Sequence, residues 1–137
     1  MVDKAELIRR RSNMQGQLAQ KRQQITILSG KLERLKSAKV RLIRVIHDSK
    51  QYQRKIKSFD TDSSLWRGTT QNKYETLTHH MEQSLNEYVH HLGRVEDRMN
   101  EEIQRLSNQL DRCHSDISFL NSNISNLTYS IQIAKEG

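Results

Sequence analysis

The chain has 137 residues, with Lys+Arg 23 against Asp+Glu 16, one cysteine, two phenylalanines and no proline. Only 34% of residues are apolar and 5% aromatic, too few for a thick globular core, and one cysteine excludes an internal disulfide framework or a multi-thiolate zinc site. No run nears the roughly 18 apolar residues of a membrane span, and the opening MVDKAELIRRR holds no apolar stretch of the secretory type. Cytosolic synthesis is expected, with any export using another route. Many Gln, Lys, Arg, Glu and Leu without proline give the composition of long exposed helices.

The first arm, about residues 3 to 57, follows a seven-residue repeat. Counting from Leu7, the apolar positions are Leu7, Met14, Leu28, Leu35, Leu42 and Ile56, with Lys21 and Ser49 as polar interruptions. Four residues on from each, Leu18, Ile25, Leu32 and Ile46 are apolar, while Arg11, Lys39 and Gln53 are not. Ten of these fifteen seam positions are apolar, enough for an amphipathic helix but not for a tight zipper.

A break follows at about residues 58 to 69, rich in Asp, Ser, Thr and Gly, whose short side chains compete with helix for local backbone. It is nearly central, so two arms of similar length predict an antiparallel helical hairpin. Within it, the Trp66 indole is placed to cover the open end of the hairpin, beside Leu65. Gly68 can adopt a positive φ that Trp or Arg resists.

The second arm, about residues 70 to 134, is more regular. Met81, Leu85, Tyr88, Leu92, Val95, Met99, Ile103, Leu106, Leu110, Cys113, Ile117, Leu120, Ile124, Leu127, Ile131 and Ala134 step by fours and threes and are all apolar. Tyr74 and Leu77 begin the stripe. Consecutive fours at Val95-Met99-Ile103 predict a stutter that locally unwinds the supercoil. The fold class expected is therefore all-α, one helical-hairpin domain over residues 1–137. Its packing stripe, also the surface expected to meet a partner, is centred on Leu28, Leu32, Leu35, Leu42 and Ile46 in the first arm. In the second arm it is centred on Leu85, Tyr88, Leu92, Val95, Met99, Ile103, Leu106, Leu110, Ile117, Leu120, Ile124 and Leu127. Ile8, Ile27, Ile43, Val45 and Phe119 lie off the seam and suggest a second contact surface.

Charge divides between the arms. Residues 1–60 carry 16 Lys/Arg and 5 Asp/Glu, a balance of +11, and residues 61–137 carry 7 and 11, a balance of −4. Opposite signs favour packing one arm on the other over like-with-like pairing.

The residues offer little chemistry. His79-His80 and His90-His91 stand eleven residues apart, about 16 Å along a helix, too far to share a metal. Glu75 with His79 and Glu87 with His90 each provide one ligand pair, but the first arm lacks the further glutamates of a di-metal bundle. Cys113 falls on the apolar stripe, as a small buried thiol does. Neither a nucleophile with its base nor a glycine-rich phosphate loop is present. No catalytic residue, metal or cofactor is expected, and the chain is read as non-enzymatic. The basic first arm, with Arg9-Arg10-Arg11 and the run from Lys31 to Arg44, leaves an alternative open. That alternative is a basic coiled-coil scaffold that binds nucleic acid or organises a larger assembly. Its charges circle the helix and base-stacking aromatics are scarce, which favours a protein partner.

Trp66-Arg67-Gly68, central between two amphipathic helices, resembles the WXG motif of type VII secretion proteins. The arms exceed the usual length in that superfamily. The layout is most similar to small helical proteins encoded beside LXG-type polymorphic toxins in Gram-positive bacteria. The resemblance implies a targeting chaperone that pairs with the toxin's N-terminal helical domain, or with a second small helical protein or another copy of itself. It assigns Leu65, Trp66 and Gly68 to the turn and the apolar stripes to docking, and it implies export by the type VII route without a cleaved signal. No aromatic, three residues and an acid follow one another at Phe59, Phe119 or Tyr129, so the export signal of that family is not found and a partner is expected to supply it.

Overall fold

The structure, a computed structural model, describes residues 3–61 and 69–134. It contains two helices, α1 (Lys4–Thr61) and α2 (Thr69–Ile133), which pack on each other as an all-α helical hairpin. Asp3 caps α1: its carboxylate accepts from the Ala5 amide at 3.3 Å, and its carbonyl takes the first helical bond, from Leu7. Glu6 favours the same end, where the exposed N–H groups carry partial positive charge, and it also pairs with Arg10 at 2.8 Å.

Helix α1 continues through Ser58, Phe59 and Asp60, past the boundary expected at 57. The propensity cost of Ser or Asp is under about 1 kcal/mol each. That is too little to stop a long helix, in which every added residue brings a further backbone bond. Both helices also run unbroken through Gly16, Gly30 and Gly93.

The contacts group the chain into two compact units, Met1–Arg34 with Ile103–Gly137, and Leu35–Glu102. In the first unit the core is a ladder of Leu7 and Leu18 from α1 with Leu106, Cys113, Leu120 and Ile131 from α2. Its polar seam positions are paired across the helices. Arg11 donates to Thr128 Oγ1 at 3.5 Å, and Lys21 meets Asp116 at 3.1 Å. The Cys113 thiol points at Gln24 Oε1, 3.8 Å away. As numbers rise along α1 they fall along α2, the signature of antiparallel packing. In the second unit Gln53 donates to Asn86 Oδ1 at 2.6 Å, while Ser49 and Thr78 are buried polar residues.

All fifteen α1 seam positions, from Leu7 to Ile56, are buried or half-buried, the polar Arg11, Lys21, Lys39, Ser49 and Gln53 among them. The repeat sets which face turns inward even where the residue itself is polar. Among the described residues no large side chain is fully buried, because one helix covers only one side of another.

Candidate docking surface

Every expected packing residue of α1 (Leu28, Leu32, Leu35, Leu42 and Ile46) is half-buried on the seam. On α2, Leu106 and Leu120 are buried, and Leu85, Leu92, Val95, Met99, Ile103, Leu110, Ile117, Ile124 and Leu127 are half-buried. Tyr88 is the exception, 48% exposed. Met81, on the same expected stripe, is also exposed. Leu65, Trp66 and Gly68, the expected turn, lie outside the described residues.

Tyr88 and Met81 depart from expectation for one reason. The seam of α2 does not slip at the stutter. From Ile103 back towards the helix start, the inward positions are Met99, Glu96, Leu92, Val89, Leu85, Glu82 and Thr78, all buried or half-buried. This continues the alternation of fours and threes without interruption. The apolar residues slip instead, onto Val95, Tyr88 and Met81, each one position before a seam residue. Consecutive fours require local unwinding of the supercoil. The α1 face in this unit gives less reward for that than an unbroken apolar seam does, because it presents Lys39, Ser49 and Gln53 among Leu35, Leu42, Ile46 and Ile56. Thr78, Glu82 and Glu96 are thereby turned inward, and one oxygen is left over: Glu82 Oε1 is buried with no hydrogen-bond partner among the described residues.

The displaced residues form a continuous surface. On α1, Val45 and Tyr52 occupy the equivalent place, each one residue before a seam position, and both are exposed. One hollow of about 290 Å³ is lined by Ile56, Tyr74, Leu77, Thr78 and Met81. A second, about 410 Å³, is lined by Tyr52, Ile56, Met81, Ser84, Leu85 and Tyr88. They share Ile56 and Met81, so together they make one apolar groove along this flank of the second unit. The opposite flank is mixed: its hollow is lined by Lys50, His90, Arg94, Glu96 and Asp97 together with Ile46, Val89 and Gly93, and Val40 and Ile43 are exposed further along it. In the first unit the places equivalent to Val45, Tyr52, Met81, Tyr88 and Val95 are held by polar residues such as Gln17, Gln24, Lys31, Gln109 and Asp116. Ile27 and Phe119 also precede seam residues there, but the apolar wall that repeats every seven residues belongs to the second unit.

The lining of the groove is periodic. Tyr74, Met81 and Tyr88 repeat every seven residues on one wall and Tyr52 stands on the other, and Val95 and Val45 continue the same two phases beyond the hollows. An α-helix laid alongside presents side chains at the same period. Elsewhere, His79, His80, His90 and His91 are exposed. No group of three or more His, Cys, Asp or Glu side chains among the described residues is placed to hold a metal ion. Nor is any helix among them long and apolar enough to cross a membrane. Cys113 is buried and free, as the stripe implied.

A family model, YwqH-like, matches residues 9–129. The chain belongs to the YwqH-like family. The match reaches both helices and both units, and includes the seam and flank positions described above except Leu7 and Ile131 at the helix ends. No curated protein and no solved structure matches the chain.

Proposed function

We propose that the chain is a non-enzymatic helical partner, a targeting chaperone for an LXG-type toxin of type VII secretion, and that it binds the toxin's N-terminal helical domain by helix-on-helix packing. The family supports this reading, since YwqH-like proteins are associated with LXG toxin systems. The structural observation that carries it is the amount of large apolar side chain a two-helix hairpin leaves uncovered. Ile8, Ile27, Val40, Ile43, Val45, Tyr52, Leu77, Met81, Tyr88, Phe119, Tyr129 and Ile133 are all exposed. Scattered single residues of this kind are ordinary on a protein surface, but a contiguous apolar groove marks a site of association. Adding one or two helices converts the hairpin into a three- or four-helix bundle and buries that surface.

The test is co-expression of the full chain with the N-terminal helical region of an LXG-type toxin, followed by native mass spectrometry after nuclease treatment. A complex of fixed stoichiometry is expected. Recovery of the chain alone refutes the reading, and association abolished by nuclease moves the assignment to a basic scaffold that binds nucleic acid.

A further inference from the structure

The geometry points to the apolar flank of the second unit as the docking site for one acidic amphipathic helix of another protein. This rests on the partner reading above and adds to it the face that is used and the chemistry that fits it.

Length and spacing define the first requirement. From Tyr74 to Val95 the wall spans three seven-residue repeats, about 32 Å at 1.5 Å per residue. A helix of about 20 residues with apolar side chains at alternating three- and four-residue steps fills it. Exposure supports vacancy: Tyr52 and Leu77 are each 60% exposed, and Met81 is 49% exposed, although all three sit beside the buried seam. Residues at such positions are covered when a hairpin belongs to a wider bundle, because a third helix packs against the residue beside each seam position as well as the seam itself.

Charge selects the occupant. The positions bordering the groove are Arg41, Asp48 and Lys55 on α1 and Leu77, Ser84, His91 and Arg98 on α2. That is three fixed positive charges, Arg41, Lys55 and Arg98, against the single negative charge of Asp48. Lys55 Nζ stands 5.4 Å from the Tyr52 ring centroid, which holds its charge at the lip of the groove. Lys73 adds a cation beside Leu77, in a shallow hollow with Asn72, Thr76 and His80. A helix with Glu or Asp flanking its apolar stripe is complementary to this rim. A second copy docking through the same flank instead brings like charges together.

The experiment uses the full-length chain and three probes: the toxin N-terminal helical region, a designed peptide of about 21 residues with Leu and Ile on one stripe and Glu on both sides, and its twin with Lys in place of Glu. The variants are Met81→Glu with Tyr88→Glu, Lys55→Glu with Arg98→Glu, and the first-unit control Phe119→Glu. The wild type is expected to bind the acidic peptide at least about tenfold more tightly than its lysine twin. Either double variant weakens that binding by at least about tenfold, and the control leaves it within about twofold. Helical ellipticity and melting temperature identify any variant that has lost its fold, and the charge-reversal pair, which changes only exposed residues off the seam, serves if the Met81/Tyr88 pair unfolds.

Equal binding of both peptides overturns the inference, as does acidic-peptide binding that survives both double variants. So does a homodimer that the Met81/Tyr88 variant dissolves, since the occupant is then a second copy. The two readings fail separately. If the toxin region binds the folded double variants as it binds the wild type, the chaperone reading stands and this surface falls. If only the acidic peptide binds, and binds through these residues, the surface stands and the toxin assignment falls.

Discussion

Replacing Glu82 with Leu tests the path of the α2 seam directly. The Glu82 side chain is half-buried on the seam, and its Oε1 is buried without a hydrogen-bond partner among the described residues. An unsatisfied buried oxygen costs about 1–3 kcal/mol. Leucine removes that cost, and half-burying its side chain contributes about 1 kcal/mol more. Glu and Leu have similar helix propensity, so the backbone term is small. Allowing for the partial exposure of the site, a gain of about 2 kcal/mol is expected. At this chain length 1 kcal/mol moves the melting temperature by about 3 °C, so Glu82→Leu should raise it by about 6 °C. The assay is thermal unfolding followed by ellipticity at two concentrations tenfold apart, which separates folding from self-association. Glu87→Leu, at an exposed position on the same helix, is the control and should stay within about 0.5 kcal/mol of wild type. An unchanged or lowered midpoint for Glu82→Leu, or an equal gain for Glu87→Leu, refutes the uninterrupted seam.

Leu106, 4% exposed, should lose about 2–4 kcal/mol of stability on truncation to alanine in urea unfolding. Phe119→Ala, at a site 68% exposed, should lose less than about 1 kcal/mol. Gly16 lies inside α1 with open space where a Cβ would stand, so Gly16→Ala should stabilise by about 0.5–1 kcal/mol in the same assay. The Lys21–Asp116 pair joins side chains that are 34% and 52% exposed. A double-mutant cycle should give a coupling under about 1 kcal/mol that shrinks as salt is raised. The Cys113 thiol should react slowly with a maleimide in the native chain and rapidly in denaturant, because it is buried beside Gln24.

The helical class, the hairpin topology and the whole α1 seam are legible in the amino-acid sequence. A seven-residue repeat is a local property, and it marks the inward face of a helix even at Lys21, Ser49 and Gln53, where the residue is polar. The second half of α2 is equally legible, since from Ile103 to Ile131 repeat and apolar stripe coincide. Before Met99 they separate, and only the tertiary structure decides between them. Apolarity marks which surface avoids water, whereas the seam is wherever the neighbouring helix lies. Over 65 residues the continuous phase of α2 prevailed, against an α1 face that in that span mixes Lys39, Ser49 and Gln53 with Leu35, Leu42, Ile46 and Ile56. The apolar residues Met81 and Tyr88 were thereby carried to one side, where two helices alone cannot cover them. A helix buries only what another helix faces, so the sequence determines that these residues are apolar, and the packing of α1 on α2 determines that the hairpin itself leaves them uncovered.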